Sequence, residues 1–216
     1  MLDSRRMRLL AVETSSLAGG VALLDDERLV AEYVLDVSIT HSERLMGAID
    51  HVLADARWTP RQLEGLAVAV GPGSFTGLRI AVSTVKGLAL ALGLPIAAVP
   101  TLDAMAFAVP WATLPVCPVL HARKGEVYAC RYRWVDGAMR REWEYLALSL
   151  ERFDERLTEP TLVIGDGAAV VRSPACVGAL GIERLGAGDG VTAAALTPLY
   201  LRPSEAELKR RVLADA

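Results

Sequence analysis

The sequence predicts an α/β fold made of two lobes that repeat one order of elements. Three short apolar segments joined by turn residues come first, at 8–12, 21–24 and 29–34, and they indicate an antiparallel meander. Apolar residues then recur at helical spacing over 42–57, and a buried strand follows at 66–70. The second half of the chain returns to this order of three strands, a helix and a strand. We therefore predict two lobes of one plan.

Composition sets limits on the class of protein. The chain has 216 residues, of which 52% are hydrophobic, so it can bury a sizeable core in one large domain or two small lobes. A net charge of -3 and a pI near 5.7 argue against a strongly basic nucleic-acid binder. Three cysteines without CxxC spacing favour buried thiols in a reducing compartment. The mean hydropathy of +0.32 suggests that a partner covers some apolar surface.

Start and stop signals place the other elements of the first lobe. They are a helical turn opened by Thr59 and Pro60, a helix over 76–92 ended by Gly93, a strand at 96–99 and a short helix capped by Thr101.

The second lobe is predicted after a proline-rich stretch at 108–118. Its elements are strands at 116–120, 127–134 and 142–146, a hairpin turn at Asp136-Gly137, a helix from Ser149 to Leu157, and a strand at 161–164. A helix is also expected within 173–192, where the pattern is weak, and another at 204–213. We divide the chain into an N-terminal lobe at 1–107, a smaller lobe at 108–197 and a tail at 198–216.

A meander followed by parallel strands and helices, present twice, is the plan of the duplicated ribonuclease-H-like fold. Actin, sugar kinases and heat-shock ATPases share that fold. In the nucleotide-binding version, the first strand of each lobe ends in an aspartate. Here those places hold Glu13 and His121. The substitutions argue against a working magnesium–ATP site, so we predict no bound cofactor.

The most informative stretch is GPGSFTGLR, which begins at Gly71 between a buried strand and a buried helix. A glycine-rich turn before a helix can cradle phosphate, but Gly71 and Gly77 are six apart and a leucine stands where a P-loop has lysine. Ser74 stands one place too early for a nucleophile elbow. We therefore favour a structural turn in which glycines such as Gly73 allow close approach and Ser74 or Thr76 caps the helix.

Two other candidate sites are weak. The three histidines lack the spacing of three or four residues that a helical metal pair needs, so no metal site and no catalytic residue are predicted. The stretch 123–134 is basic and aromatic and could contact RNA by stacking, although an ordinary exposed hairpin is the favoured interpretation.

The helix over 76–92 predicts an interaction surface. It carries two apolar stripes, whereas a surface helix shows one, so it is expected to be covered by the sheet on one side and by the 42–57 helix or a second chain on the other. The candidate interface residues are His41, Leu45, Leu78, Ile80, Ala81, Val85 and Leu88.

Five stretches together resemble the TsaB family, also called YeaZ, over nearly the whole chain. They are LAVETS from Leu10, HSERL from His41, VAVGPGSFTGLRI from Val68, ARKGEVY from Ala122 and PLYLR from Pro198. The GPGSFTGLR stretch is the specific one. The family usually has aspartate where Glu13 and His121 stand.

The resemblance implies a cytoplasmic, noncatalytic subunit of bacterial tRNA threonylcarbamoyladenosine synthesis. Such a subunit binds and activates a TsaD-like catalytic paralogue, works with a TsaE-like ATPase and forms a homodimer when alone. It would meet tRNA only through the complex and would not contact a membrane. The alternative is an ATP-using or peptidase-like enzyme of the same superfamily. A free RNA-binding module is a third class, which the acidic pI disfavours.

Overall fold

The structure is a computed structural model that describes residues 7–16, 18–36, 41–122, 125–165 and 173–201. It contains two sheets. The first sheet is formed by β1 (Arg8–Glu13), β2 (Ala18–Asp25), β3 (Arg28–Asp36), β4 (Gly65–Gly71) and β5 (Ile96–Pro100). The second is formed by β6 (Val116–His121), β7 (Glu126–Ala129), β8 (Tyr132–Val135), β9 (Ala138–Arg141), β10 (Leu146–Ser149) and β11 (Leu162–Gly165). The helices are α1 (His41–Asp55), α2 (Phe75–Leu92), α3 (Thr101–Phe107), α4 (Leu150–Arg156) and α5 (Pro174–Gly186), with a 3-10 turn at Pro60–Gln62.

The first sheet has the predicted meander followed by parallel strands. Its strand order is β3-β2-β1-β4-β5. The strands β1, β2 and β3 pair antiparallel, and β4 pairs parallel with both β1 and β5. All seven residues of β4 are buried, as expected for a central parallel strand that is covered on both faces. This topology and the pairing in the second lobe confirm the predicted duplicated ribonuclease-H-like fold.

Helices cover both faces of the first sheet. On one face, α1 and α2 share a core with alternate residues of β1, β2 and β4. On the other face, α5 packs against the remaining strand residues. Among the described residues α2 is the one helix long and apolar enough to cross a bilayer, but its inner side belongs to this core.

The second sheet repeats the plan with shorter strands. The strand β6 lies between β7 and β8 on one side and β11, which runs parallel to it, on the other. Thus β11 takes the place that β4 has in the first sheet. Within the described residues no strand lies beyond β11, where the first sheet has β5.

Three predictions about the second half need correction. The predicted strand at 127–134 is two strands, and the predicted strand at 142–146 is replaced by β9 and β10 on either side of it. The cause is a bend at Arg131, whose carbonyl accepts hydrogen bonds from the backbone N–H groups of Glu142 and Trp143. The helix expected within 173–192 exists as α5, but it packs on the first sheet although the prediction placed it in the second lobe.

A smaller correction concerns the start of α3. The N-cap is Pro100, and Thr101 is already helical. In the described structure the Thr101 hydroxyl is buried without a hydrogen-bond partner. The helix predicted at 204–213 lies outside the described residues.

Candidate functional site

The GPGSFTGLR turn is docked onto the loop that follows β1. The hydroxyl of Ser74 caps α2 by accepting a hydrogen bond from the Gly77 N–H at 3.3 Å. The backbone N–H of Ser74 donates to the carbonyl oxygen of Ser15 at 2.6 Å. The Thr14 hydroxyl donates to the carbonyl oxygen of Gly77 at 2.8 Å. These bonds tie the carboxyl ends of β1 and β4 together.

Two glycines make this docking possible. A Cβ atom at Gly77 would collide with the Thr14 carbonyl oxygen, and one at Gly73 would collide with the backbone of Ser15. The glycines therefore serve close backbone approach, and the turn packs against protein in the place where a phosphate loop would hold its ligand. Ser74 is the cap, whereas Thr76 is exposed in the first turn of the helix.

The carboxyl group of Glu13 lies in the same region and is buried. It accepts hydrogen bonds from the Ser15 N–H at 2.5 Å and from the Ser15 hydroxyl at 3.1 Å. Beside it is a narrow gap lined in part by Thr101, Met105 and Ser173, with no internal space for a water molecule. Ligand pockets usually measure ~300–1,000 Å³, so this gap has no room for a nucleotide.

The cysteines are poor nucleophiles. Burial raises the pKa of Cys117 to about 12 and that of Cys130 to about 11. The Cys130 thiol donates to the Trp143 carbonyl oxygen at 3.2 Å. At neutral pH both groups are protonated, and the thiolate is the reactive form. No cluster of three potential metal ligands occurs among the residues that the structure describes.

The described part of the basic hairpin is neutralised by its own chain. Arg131 and Arg133 each form ion pairs with Glu142 and Glu159, with nitrogen–oxygen distances of 2.6–3.2 Å. Tyr132 is buried and unavailable for stacking. Arg123 and Lys124 lie outside the described residues.

A polar network between the lobes was missed by the sequence analysis. One carboxylate oxygen of the buried Asp103 accepts hydrogen bonds from the hydroxyls of Tyr132 at 2.6 Å and Tyr145 at 2.7 Å. The other accepts from the Arg184 guanidinium at 3.1 Å, which also donates to the Ala98 carbonyl. Burial and the Asp103 charge raise the pKa of both tyrosines. Asp103 thus links α3, the second sheet and α5.

Several residues of the predicted interface belong to the core. Leu45, Leu78, Ala81 and Val85 are at most 5% exposed and pack inside this chain, so they are unavailable to a partner. The two stripes predicted for α2 are not on opposite sides, because the half-buried Ile80 and Leu88 also pack against this core. The side chain of His41 lies outside the described residues.

A different set of residues faces outward. Because α1 and α2 cover the same face of the sheet, their outer sides form one surface, which we name the α1–α2 face. Its exposed residues are Met46, Gly47, Asp50, Ser83, Gly87 and Leu90. Leu90 is 76% exposed and Met46 is 46% exposed. No neighbouring atom lies within 4 Å of a Cβ built at Gly47 or Gly87.

Sequence comparison finds relatives over the full length. The family model for TsaD, tRNA N6-adenosine threonylcarbamoyltransferase, matches residues 35–164. The tRNA threonylcarbamoyladenosine biosynthesis protein TsaB of Bacillus subtilis is 31% identical over 94% of this chain and 97% of its own length. The protein of the same name from Escherichia coli is 28% identical over 91% of this chain and 95% of its own length.

Solved structures agree with the fold. YeaZ from Pseudomonas aeruginosa superposes with a TM-score of 0.78 and 29% identity, over 90% of this chain and all of that chain. A Pseudomonas aeruginosa protein described as uncharacterized and similar to peptidase YEAZ gives a TM-score of 0.80 and 28% identity, over 91% of this chain and all of that chain.

Proposed function

The chain belongs to the TsaB family of tRNA threonylcarbamoyladenosine biosynthesis proteins, and we propose that within this pathway it is a noncatalytic subunit. In this proposal it binds and activates a TsaD-like catalytic paralogue for threonylcarbamoyl transfer to the adenosine 3′ of the tRNA anticodon. It acts in the cytoplasm with a TsaE-like ATPase, reaches tRNA through the complex and forms a homodimer when alone.

The observation that carries the proposal is the pair of exposed glycines on the α1–α2 face. A glycine inside a helix costs about 1 kcal/mol relative to alanine. At Gly47 and Gly87 the chain itself gives no steric reason for this cost, because nothing would touch a Cβ there. Glycines on a helix surface allow another helix to approach closely. The exposed Leu90 beside them supplies the apolar contact that such an approach would bury.

The packing at the ends of β1 and β4 supports a noncatalytic role. Glu13 is held by Ser15, the glycine turn packs against protein backbone, and the gap beside Glu13 has no internal space for a water molecule. This region corresponds in position to the nucleotide cleft of ATPases with this fold. Here its hydrogen bonds join the ends of β1 and β4. Activity would therefore depend on the α1–α2 face and a catalytic partner.

The same face fits both self-association and a paralogue. A twofold dimer would bury the α1–α2 face against its own copy, and a paralogue of similar fold would present an equivalent face in its place. The two helices also differ in charge, because α2 carries Arg79 and Lys86 and no acid, whereas the exposed acids Asp50 and Asp55 of α1 outnumber its one exposed arginine, Arg44. Pairing α1 with an α2-like helix would therefore be electrostatically favourable.

The surroundings of three candidate nucleophiles do not favour the peptidase alternative. The Ser74 hydroxyl caps a helix, and the thiols of Cys117 and Cys130 are buried and protonated at neutral pH. The exposed His51 lies beside Asp55 and the ring of Tyr33, on the outer side of α1.

Binding to the TsaD-like protein of the same organism tests the proposal. Purified chain and partner are mixed, and complex formation is followed by calorimetry and size-exclusion chromatography. We expect a 1:1 complex that forms as the homodimer is lost. We expect Gly87→Arg to remove both associations while circular dichroism and the melting temperature show a folded chain, because open space surrounds this position.

A matched control is Gly186→Arg, at the end of α5. Gly186 is also helical and exposed, with nothing within 4 Å of its Cβ position, but it lies away from the α1–α2 face. It should leave both associations intact. Normal partner binding by the folded Gly87→Arg variant would show that the interface lies elsewhere. Absence of binding by the wild-type chain would refute the proposed function.

A further inference from the structure

An exposed arginine at the start of α2 is held by one aromatic ring and by the hydroxyl of a tyrosine. The guanidinium carbon of Arg79 lies 3.9 Å from the centre of the Phe75 ring. Its Nε–H donates to the Tyr200 hydroxyl at 3.2 Å. The two rings lie 5.6 Å apart and are tilted by 37°. We name these three residues the Arg79 cluster.

The cluster is built by two distant parts of the chain. Phe75 and Arg79 lie in the first turns of α2, directly after the docked glycine turn. Tyr200 follows Leu199, whose N–H donates to the Val70 carbonyl oxygen at the end of β4 at 2.6 Å. Both parts are therefore anchored to the central sheet, and they hold the arginine side chain in one orientation.

In this orientation most N–H donors of the Arg79 guanidinium form no hydrogen bond within the described structure. Arginine has five N–H donors, and the Nε–H is the one that bonds to Tyr200. In the described structure the two terminal nitrogens have no hydrogen-bond acceptor, and no carboxylate forms an ion pair with Arg79. Phe75 is 40% exposed and Tyr200 is 46% exposed. Two partly exposed aromatic rings therefore lie beside the unpaired positive charge of Arg79.

We propose that the Arg79 cluster binds a carboxylate side chain of the catalytic partner, a deepening that rests on the proposed function. The terminal nitrogens can hold both carboxylate oxygens, and this planar pairing fixes the orientation of the bound group. Arg79 is on the side of α2 that continues into Ser83 and Leu90, because residues four and seven apart share a helix face. The cluster thus extends the α1–α2 face at one end.

A protein carboxylate fits the cluster better than an RNA phosphate. Nucleic-acid grooves combine stacking rings with several basic groups that follow the backbone. The Arg79 cluster offers one guanidinium in a chain of net charge -3, and the described arginines of the other basic stretch are paired with Glu142 and Glu159. Arginine and tyrosine together are typical of residues that dominate protein–protein binding.

Carboxylate binding by Arg79 can be distinguished from a purely structural role. To hold α2 against the 199–201 segment, Arg79 needs only the hydrogen bond from its Nε–H to the Tyr200 hydroxyl. Arg79→Lys keeps the charge but loses the planar fork, and Tyr200→Phe keeps the ring but loses the acceptor that orients Arg79. A docking site for a carboxylate is sensitive to both changes in partner binding, while the stability of the chain alone changes little.

The test measures the affinity of the full chain for the TsaD-like protein of the same organism by calorimetry at two salt concentrations. We expect Arg79→Gln to weaken binding at least tenfold and to reduce its salt dependence. Arg79→Lys should retain part of the salt dependence and still lose affinity. Arg152→Gln, at an exposed arginine of α4 that lies away from the α1–α2 face, is the matched control and should change affinity less than twofold. All variants should remain folded by circular dichroism.

The outcomes separate this inference from the proposed function. No binding by the wild-type chain would refute both. Wild-type binding with equal effects of Arg79→Gln and Arg152→Gln would overturn the docking site alone. A lower melting temperature of Arg79→Gln with unchanged partner affinity would show that the cluster only stabilises the fold, and would overturn the docking site. Loss of binding to tRNA with unchanged partner affinity would assign the cluster to RNA and also overturn the proposal.

Discussion

The two lobes follow one plan, but their sheets are stabilised differently. The first sheet has strands of up to nine residues and is covered on both faces by apolar helix surfaces. The second has strands of four to six residues, ion pairs at its edge and an outer strand, β11, with exposed Leu162 and Val163. The comparison shows that helices close the first sheet on both faces, whereas the second sheet shares an apolar cluster with α3 and adds the polar links of Asp103 to it.

The largest expected effect comes from removing the link between the lobes. Asp103→Ala leaves Arg184 and two tyrosine hydroxyls without their acceptor, and breaking such a buried charged network costs about 3–4 kcal/mol. We predict a corresponding drop in the free energy of unfolding measured with urea. Tyr145→Phe removes one donor and should cost only about 1 kcal/mol. Equal costs for the two variants would contradict a network centred on Asp103.

A substitution within the first lobe should cost nearly as much. Gly77→Ala places a methyl group against the Thr14 carbonyl oxygen, so the turn must move away from β1. Overpacking of this kind costs about 1–3 kcal/mol, and backbone contacts allow little relaxation. We predict a loss of about 3 kcal/mol in the free energy of unfolding. Gly87→Ala on the same helix is the control, and equal losses at both sites would contradict the docked turn.

Alkaline pH should weaken the second lobe first. In the folded chain burial raises the pKa of Cys117 to about 12 and that of Cys130 to about 11, above the usual value of a thiol. The unfolded chain therefore loses these protons first, so stability is complete below pH 8.5 and falls as the pH rises toward 11. Each thiol should contribute a fall of ~1.4 kcal/mol for each pH unit between its unfolded and folded pKa, so we predict ~2.7 kcal/mol per unit where both titrate.

The urea midpoint between pH 8 and pH 10.5 measures this effect, and alkylation of the thiols localises it. Cys117 and Cys130 should become reactive before the buried face of α2 loses protection. A midpoint that does not change up to pH 10 would contradict the prediction.

The smallest expected effect has the opposite sign. Gly87→Ala should stabilise the isolated chain by about 0.5–1 kcal/mol, because alanine favours the helix and nothing occupies the space around it. Thermal unfolding of the monomer measures the gain. A loss of stability at this site would show that the glycine has a steric role within the chain and would remove the main support for the α1–α2 face.

Local patterns predicted the elements of the first lobe because each signal acts within a few residues. Apolar spacing placed α1 and α2, Gly93 ended α2 in a left-handed conformation, and Ser74 was one of two predicted caps. The structural turn at Gly71–Gly77 also followed from spacing alone. These features depend on neighbours along the chain, so the sequence contains enough information to place them.

Contacts between distant residues explain what was missed. The partners of Asp103 are 29, 42 and 81 residues away in sequence, and Arg79 meets Tyr200 across 121 residues. No local pattern predicts such pairs. The interface residues were misplaced for a related reason, because spacing shows which side of α2 is apolar but not where α1 and the sheet lie. Leu78, Ala81 and Val85 are therefore core residues, and Gly87 and Leu90 face outward.

The central claim is that the outer face of α1 and α2, and not the filled region at the ends of β1 and β4, carries the function. Reconstituted threonylcarbamoyladenosine formation on tRNA, with TsaD-like and TsaE-like proteins, tests it directly by comparing Gly87→Arg with Glu13→Gln. The account predicts that folded Gly87→Arg chain no longer supports the modification, while Glu13→Gln retains most of it. The reverse result, full activity of Gly87→Arg and loss in a folded Glu13→Gln chain, would contradict the account.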